Sequence, residues 1–127
     1  MVACSQEPEK GLVRATEPGF TGVARCGSCH TNNLGEWRKS LHSRAMGVSG
    51  DSTVVGDFED AVHSYGGAHS RMFRRDGDFF METVGVDGKR DTYRVDYTIG
   101  VRQHQAYLTA FPDGHYQVLP LYHDGPK

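Results

Sequence analysis

The sequence lacks features that would assign it to several common classes of protein. No apolar run approaches the roughly 20 residues that cross a bilayer, and residues 1–10 carry no apolar region of a secretory signal. There is no basic excess either, since 14 Lys and Arg face 16 Asp and Glu. Because nucleic-acid binding requires a basic surface, we expect no nucleic-acid partner. The length of 127 residues fits one soluble globular domain.

Cysteine is scarce, and its odd count excludes a framework in which all cysteines pair within the chain. The sequence has three cysteines, and the first ends the stretch "MVAC". Small residues before Cys4 resemble the end of a bacterial lipoprotein signal, which predicts a lipid anchor at Cys4. The alternative is an unpaired cysteine in a ragged terminus. The polar residues that follow predict a flexible segment over residues 1–19.

The other two cysteines form Cys26-Gly-Ser-Cys29-His30, the pattern of covalent haem c attachment. Two thiols at this spacing can add to the two vinyl groups along one porphyrin edge, and His30 is then brought under the ring as an iron ligand. Three other interpretations stay open. A zinc site needs two further ligands, and there is no second Cys-x-x-Cys. A thioredoxin-like pair needs a βαβ unit, and a disulfide leaves His30 unexplained.

Apolar spacing after the motif predicts helical structure over residues 26–48. Apolar side chains recur every three or four residues, at Leu34, Trp37, Leu41, Ala45 and Val48. His42 and Met46 lie one turn apart on a flank of this helix. They are therefore not the simplest core residues, and both are candidates for the second axial ligand.

The spacing of His30 and His42 limits how both could bind iron. Twelve residues of straight helix span roughly 18 Å, whereas two nitrogens on one metal lie only about 4 Å apart. Either the chain reverses between them, with Gly35 as the weakest point, or His42 serves another haem, on another polypeptide. A surface histidine is the alternative for His42. Met46 is a weaker candidate, because methionine on a helix flank more often packs.

Residues 69–123 are predicted to be rich in β-strand. Asp-Gly pairs at 76–77, 87–88 and 113–114 are typical of two-residue hairpin turns. They separate predicted strands at 70–75, 78–85, 91–98, 104–111 and 115–122, which would form one antiparallel meander. Alternation in the third strand predicts one face with Tyr93, Val95, Tyr97 and Ile99, and another with Arg94, Asp96 and Thr98.

These elements predict an α+β fold. Residues 20–127 would form a single haem-binding domain, in which the helical segment packs on the small antiparallel β-meander.

Two stretches resemble multihaem c-type cytochromes, particularly those associated with tetratricopeptide repeats. They are "CGSCHTNNLGEWRKSLHSRAM" and "FRRDGDFFMETVGVDGKRDTYRVDYTIGVRQHQAYLTAFPDGHYQVLPL". The resemblance implies that His42 binds iron from the distal side. Relatives carry several haem motifs and helical repeats, whereas this chain has one motif and no such repeats, so it cannot be an electron wire alone. Neighbouring subunits could bring single haems together, as a homo-oligomer or filament.

The remaining histidines and three arginines are weaker candidates. His69, in the stretch "GGAHSRM", is second to His42 as a ligand, because a loop there could fold over the haem. His104 and His115 are expected on the sheet surface, and His63 and His123 have no deciding context. Three arginines could pair with haem propionates or form a solvated strand edge: Arg71, Arg74 and Arg75.

Three functions follow from these patterns. The first is electron transfer by one haem c, with redox partner proteins or like subunits, and with no enzymatic activity. The second is a haem enzyme or gas sensor with an open iron site, and the third is an interaction module stabilised by haem or zinc. Because bacteria attach haem c outside the cytoplasm, the resemblance implies a periplasmic or cell-surface location.

Overall fold

The computed structural model describes residues 23–125, and the chain divides into two compact units, Met1–Lys39 and Ser40–Lys127. In the first unit the described residues, 23–39, form two helices, α1 (Val23–Gly27) and α2 (Thr31–Lys39). The predicted flexible segment 1–19 and Cys4 lie outside the described residues.

In the second unit the described residues form a short 3₁₀ turn, His42–Arg44, and eight strands. The strands are β1 (Met46–Val48), β2 (Ala61–Tyr65), β3 (Ala68–Arg75), β4 (Asp78–Val84), β5 (Arg90–Arg94), β6 (Tyr97–Ile99), β7 (His104–Ala110) and β8 (Tyr116–Asp124). They form two four-stranded sheets, ordered β1-β6-β7-β8 and β2-β3-β4-β5, in which every pairing is antiparallel. The predicted α+β fold is therefore wrong, because the described chain is mostly β.

The predicted helical region is shorter than residues 26–48. Helix α2 ends at Lys39, and Met46 begins strand β1, which pairs with β6 through Met46↔Ile99. The Ala45 carbonyl accepts a hydrogen bond from the Gly100 N–H at 2.7 Å. These distant partners override the local helical spacing, so His42 and Met46 do not share a helix flank.

Tight turns join the strands of the second sheet. Asp76 and Gly77, between β3 and β4, have φ values of 54° and 85°, which confirms the predicted two-residue turn. Gly66 and Gly67 make a similar turn between β2 and β3, with φ values of 58° and 82°. This second turn and strand β2 were not predicted.

The other two Asp-Gly pairs lie in longer turns. The N–H of Gly88 donates to the carbonyl of Gly85, and that of Gly114 donates to Phe111, each at 3.0 Å. In each case a β-turn ends on a glycine with positive φ, 76° at Gly88 and 89° at Gly114. The hairpins after β4 and β7 were therefore predicted correctly, but their turn type was not.

The predicted strand 91–98 is divided between the two sheets. The N–H of Val95 donates to Phe79 in β4, whereas that of Asp96 donates to Leu108 in β7, both at 2.8 Å. The predicted alternation ends here as well, since Thr98 is 3% exposed and Ile99 is 42% exposed. The single meander is therefore wrong, because the chain passes from one sheet to the other between Val95 and Asp96.

The hydrophobic core lies in the second unit. It consists of Phe58, Met72, Phe79, Met81, Val95, Tyr107 and Leu119. The Phe58 ring packs edge-on against Phe79 and Tyr107, with centroid distances of 5.2 and 5.1 Å. Buried Gln105 accepts from the Val55 N–H and donates to the carbonyls of Thr53 and Gly100. These bonds fix the loop before β2 to the loop after β6.

Candidate functional site

The Cys-x-x-Cys-His motif forms the turn between α1 and α2. Cys26 lies in the last turn of α1, and its carbonyl accepts hydrogen bonds from the N–H groups of Cys29 and His30, at 3.3 and 3.0 Å. Side chains support this turn, since the Thr31 hydroxyl donates to the Gly27 carbonyl at 3.1 Å. The two thiols and the imidazole therefore come from one compact, hydrogen-bonded turn.

All three motif side chains are exposed. Cys26 and Cys29 are free thiols rather than a disulfide, so both are open to covalent attachment. His30 is also exposed and directly precedes α2. The structure thus presents two thiols and one imidazole together at the surface.

An open concavity of about 440 Å³ lies beside the motif. Cys26 and His30 line it together with Val23, Leu34 and Trp37. Val23 and Trp37 are 47% and 46% exposed, so each leaves part of its apolar surface open at this concavity. A β carbon at Gly27 would lie 2.2 Å from Leu34 Cδ2. The absence of a side chain at Gly27 therefore allows Leu34 of α2 to approach α1.

These residues fit a covalently attached haem. The donor set is two thiols and a nitrogen ligand, and the neighbouring wall is apolar, as a porphyrin face requires. Among residues 23–125 no three His, Cys, Asp or Glu side chains are grouped around one metal position, and the zinc interpretation stays an alternative.

His42 begins the 3₁₀ turn of the second unit and is exposed. Met46 lies in β1 and is also exposed. His30 belongs to the first unit and His42 to the second. The role of His42 as a distal ligand stays a prediction, and so does the weaker candidacy of Met46.

His69 does not lie in a loop. It belongs to β3, opposite Ser64, because the Gly66–Gly67 turn closes the hairpin just before it. Its Nδ1 lies 2.6 Å from the Ser64 hydroxyl. The loop that was expected to cover the haem is therefore a paired strand, although the adjacent glycines were a visible signal for the turn.

The other histidines lie on strands or turns of the second unit. As expected, His104 and His115 are surface residues, within 3.1 Å of Asp124 and 2.9 Å of Asp113 respectively. The side-chain and backbone hydrogen bonds of His115 hold the pKa of the Asp113 carboxyl below its usual value. His63 is exposed in β2, and His123 is partly buried in β8.

The three arginines of β3 already have partners in the second unit. Arg71 pairs with Asp60 at 2.6 Å, and Arg74 pairs with Asp51. Arg75 lies over the Phe80 ring at 4.4 Å from its centroid. These contacts favour a solvated strand surface over propionate binding, but the predicted strand edge is wrong, because β3 lies between β2 and β4.

Comparison with known proteins identifies no family for this chain. No protein-family model matches it, and neither does any curated protein or solved structure. Among the described residues, no helix has the length and apolar character needed to span a membrane. The resemblance to multihaem cytochromes stays a prediction, and the site is interpreted from its own residues.

Proposed function

We propose that this protein is a c-type cytochrome that carries one haem and transfers single electrons. The observation that supports it is the motif turn, where the exposed side chains of Cys26 and His30 line an apolar concavity and Cys29 lies exposed in the same turn. A redox dithiol would not require the adjacent imidazole or the exposed apolar wall. A haem accounts for all of these features together.

Each residue of the site has a defined task in this proposal. Cys26 and Cys29 would hold the haem through thioether bonds, and His30 would bind its iron through the imidazole. Val23, Leu34 and Trp37, which line the concavity, would shield part of the group from water. The hydrogen bonds of the turn hold the thiols and the imidazole in place, so little reorganisation accompanies electron transfer. When bound, a haem would supply the iron that carries the single electron.

His42 is the proposed second axial ligand, from the same chain or from another copy. Two histidine ligands leave no open position for substrate, and such ligation favours electron transfer over catalysis. The proposed partners are redox proteins or like subunits, and the proposed location is the periplasm or the cell surface.

The first test is the optical spectrum of protein matured in a host that attaches haem c. We expect pigment that stays on the chain after denaturation, with sharp low-spin bands that carbon monoxide does not alter. The double substitution Cys26→Ala and Cys29→Ala should release the pigment. A colourless protein, or pigment that the double variant retains, would contradict the proposal.

The second test concerns the distal ligand. His42→Ala should leave the haem attached and convert it from low-spin to high-spin, because one axial ligand is lost. His63→Ala is the matched control, since His63 is an exposed histidine on a strand of the same unit. An unchanged spectrum in the His42 variant would exclude His42 as the ligand.

A further inference from the structure

A second cavity, of about 300 Å³, lies within the second unit. Its walls come from the 3₁₀ turn, strands β1 and β6, and the loops at residues 49–60 and 100–103. The residues that define its chemistry are Arg44, Ser52, Thr98 and the apolar Met46, Val55 and Val101. None of them belongs to the haem motif, so this cavity is separate from the site described above.

The cavity has one cationic side chain without a counter-ion. Arg44 is exposed, and among residues 23–125 no carboxylate or hydrogen-bond acceptor contacts its guanidinium, whereas Arg71, Arg74, Arg90 and Arg94 form ion pairs. No acidic residue lines the cavity. The nearest acidic neighbour in sequence, Asp51, is paired with Arg74. The cavity therefore offers a positive charge that the described residues do not neutralise.

Thr98 also lines the cavity, and its hydroxyl has no hydrogen-bond partner among the described residues although the residue is only 3% exposed. The hydroxyl is not one of the fully enclosed groups without a partner, so it is reachable from the cavity. It can therefore donate a hydrogen bond to a ligand that enters beside Arg44.

We propose that this cavity binds a carboxylate with a short apolar body. The guanidinium of Arg44 suits a carboxylate because its planar donors match the two oxygens. The Thr98 hydroxyl supplies a further donor, and Met46, Val55 and Val101 contact the apolar body. These apolar walls favour an organic acid over inorganic phosphate or sulfate. Two sources supply this chemistry: a free small acid, or a propionate of a haem on another copy of the chain. Only the second source rests on the proposed function.

Gly47 allows the cavity to be filled without disturbing the fold. A β carbon there would lie 3.5 Å from Thr53 Cγ2 and 3.9 Å from the Thr98 hydroxyl, which is ordinary van der Waals contact. Gly47→Ala therefore places a methyl group near the proposed ligand position. Arg44→Gln removes the charge and keeps a polar side chain, and Arg75→Gln is the control for loss of a cation that does not line the cavity.

The experiment is a titration of the ¹⁵N-labelled full chain with butyrate, followed by NMR. We expect saturable shifts of the Gly47, Ser52 and Thr98 amides. Arg44→Gln and Gly47→Ala should each weaken binding by about tenfold or more, and Arg75→Gln should leave it unchanged. An equal loss of butyrate affinity in the Arg75 variant would overturn the proposal. So would amide shifts that do not saturate, or sulfate that binds as tightly as butyrate.

Two further samples separate the sources of the carboxylate. In the Cys26→Ala, Cys29→Ala double variant, butyrate binding should persist, so the cavity proposal survives even if the chain carries no haem. If a neighbouring propionate occupies the site, concentrating the haem-bearing protein without added acid should shift the same amides, and Arg44→Gln should abolish that shift. If neither butyrate nor concentration of the haem-bearing protein moves these amides, the cavity does not bind carboxylates.

Discussion

The two units differ in how their residues are buried. Between residues 23 and 39 no side chain is buried, and apolar Val23 and Trp37 remain about half exposed. The second unit has a continuous core in which Met81, Val95 and Tyr107 are almost completely inaccessible. Burial of apolar surface is the main stabilising contribution in folding. The second unit therefore has a core that stabilises it, whereas residues 23–39 leave their apolar side chains partly exposed.

The largest effect should follow from a cavity in that core. Met81→Ala removes a side chain with no solvent exposure, and we expect the second unit to lose about 2–5 kcal/mol of unfolding free energy. Urea unfolding followed by far-UV circular dichroism measures this loss. Val84→Ala, on the same strand but at a partly exposed position, should cost less than about 1 kcal/mol. Equal losses would contradict the assignment of the core.

The close approach of Gly56 to the Tyr107 hydroxyl offers a second way to disturb the core. A β carbon at Gly56 would lie 2.0 Å from the Tyr107 hydroxyl, so Gly56→Ala should cost about 1–3 kcal/mol through overpacking. That hydroxyl is buried without a hydrogen-bond partner among the described residues. Tyr107→Phe should therefore be tolerated and should partly rescue Gly56→Ala in a double-mutant cycle. If the losses of unfolding free energy in the two single variants simply add in the double variant, the Gly56–Tyr107 contact is wrong.

The same tyrosine should make the second unit sensitive to alkaline pH. Burial raises the pKa of Tyr107 to about 12, whereas the unfolded value is 10.0. The unfolded chain therefore loses its proton first as the pH rises. The contribution of Tyr107 to stability is full below pH 10 and decreases between pH 10 and about 12.

Urea unfolding at a series of pH values measures this decrease. Tyr107→Phe should make the alkaline decline shallower, and Tyr122→Phe, at an exposed position, should not. If the two variants followed the same pH profile, Tyr107 would not be the group responsible.

The smallest effect on the second unit should come from a change beside the motif. In Gly27→Ala the new β carbon meets the end of the flexible Leu34 side chain, which can rotate away. We expect unfolding of the second unit to change by less than about 0.5 kcal/mol. Urea unfolding followed by far-UV circular dichroism measures this change, as it does for Met81→Ala. A loss comparable to that of Met81→Ala would show that the stability of the two units is coupled.

Local sequence patterns predicted the hairpins better than the arrangement of sheets. The Asp76–Gly77 turn follows directly from residue type, since both positions need positive φ. The break between Val95 and Asp96 could not be predicted in this way. Their N–H groups bond to Phe79 and Leu108, and only the folded chain brings these acceptors to them. Strand β1 was not predicted either, because its partner β6 lies about fifty residues away in the sequence.

The candidate site was likewise predicted only where its residues lie close together in the sequence. The motif residues and the apolar positions at 34 and 37 were identified from spacing, since all of them lie in one local turn and helix. The cavity of Arg44 and Thr98 was not predicted, because it unites residues from three separate stretches of the chain, 43–47, 52–55 and 98–101. Nothing in their local sequence distinguishes them from ordinary surface or strand residues.

Trp37 is the only tryptophan of the chain, and it lines the concavity beside the motif. Its fluorescence therefore reports on the motif region alone, while the ring signals of buried Tyr97 and Tyr107 report on the second unit. A haem absorbs where tryptophan emits, so attachment of the proposed haem should quench the fluorescence of Trp37. The position of this one indole therefore makes attachment measurable by fluorescence.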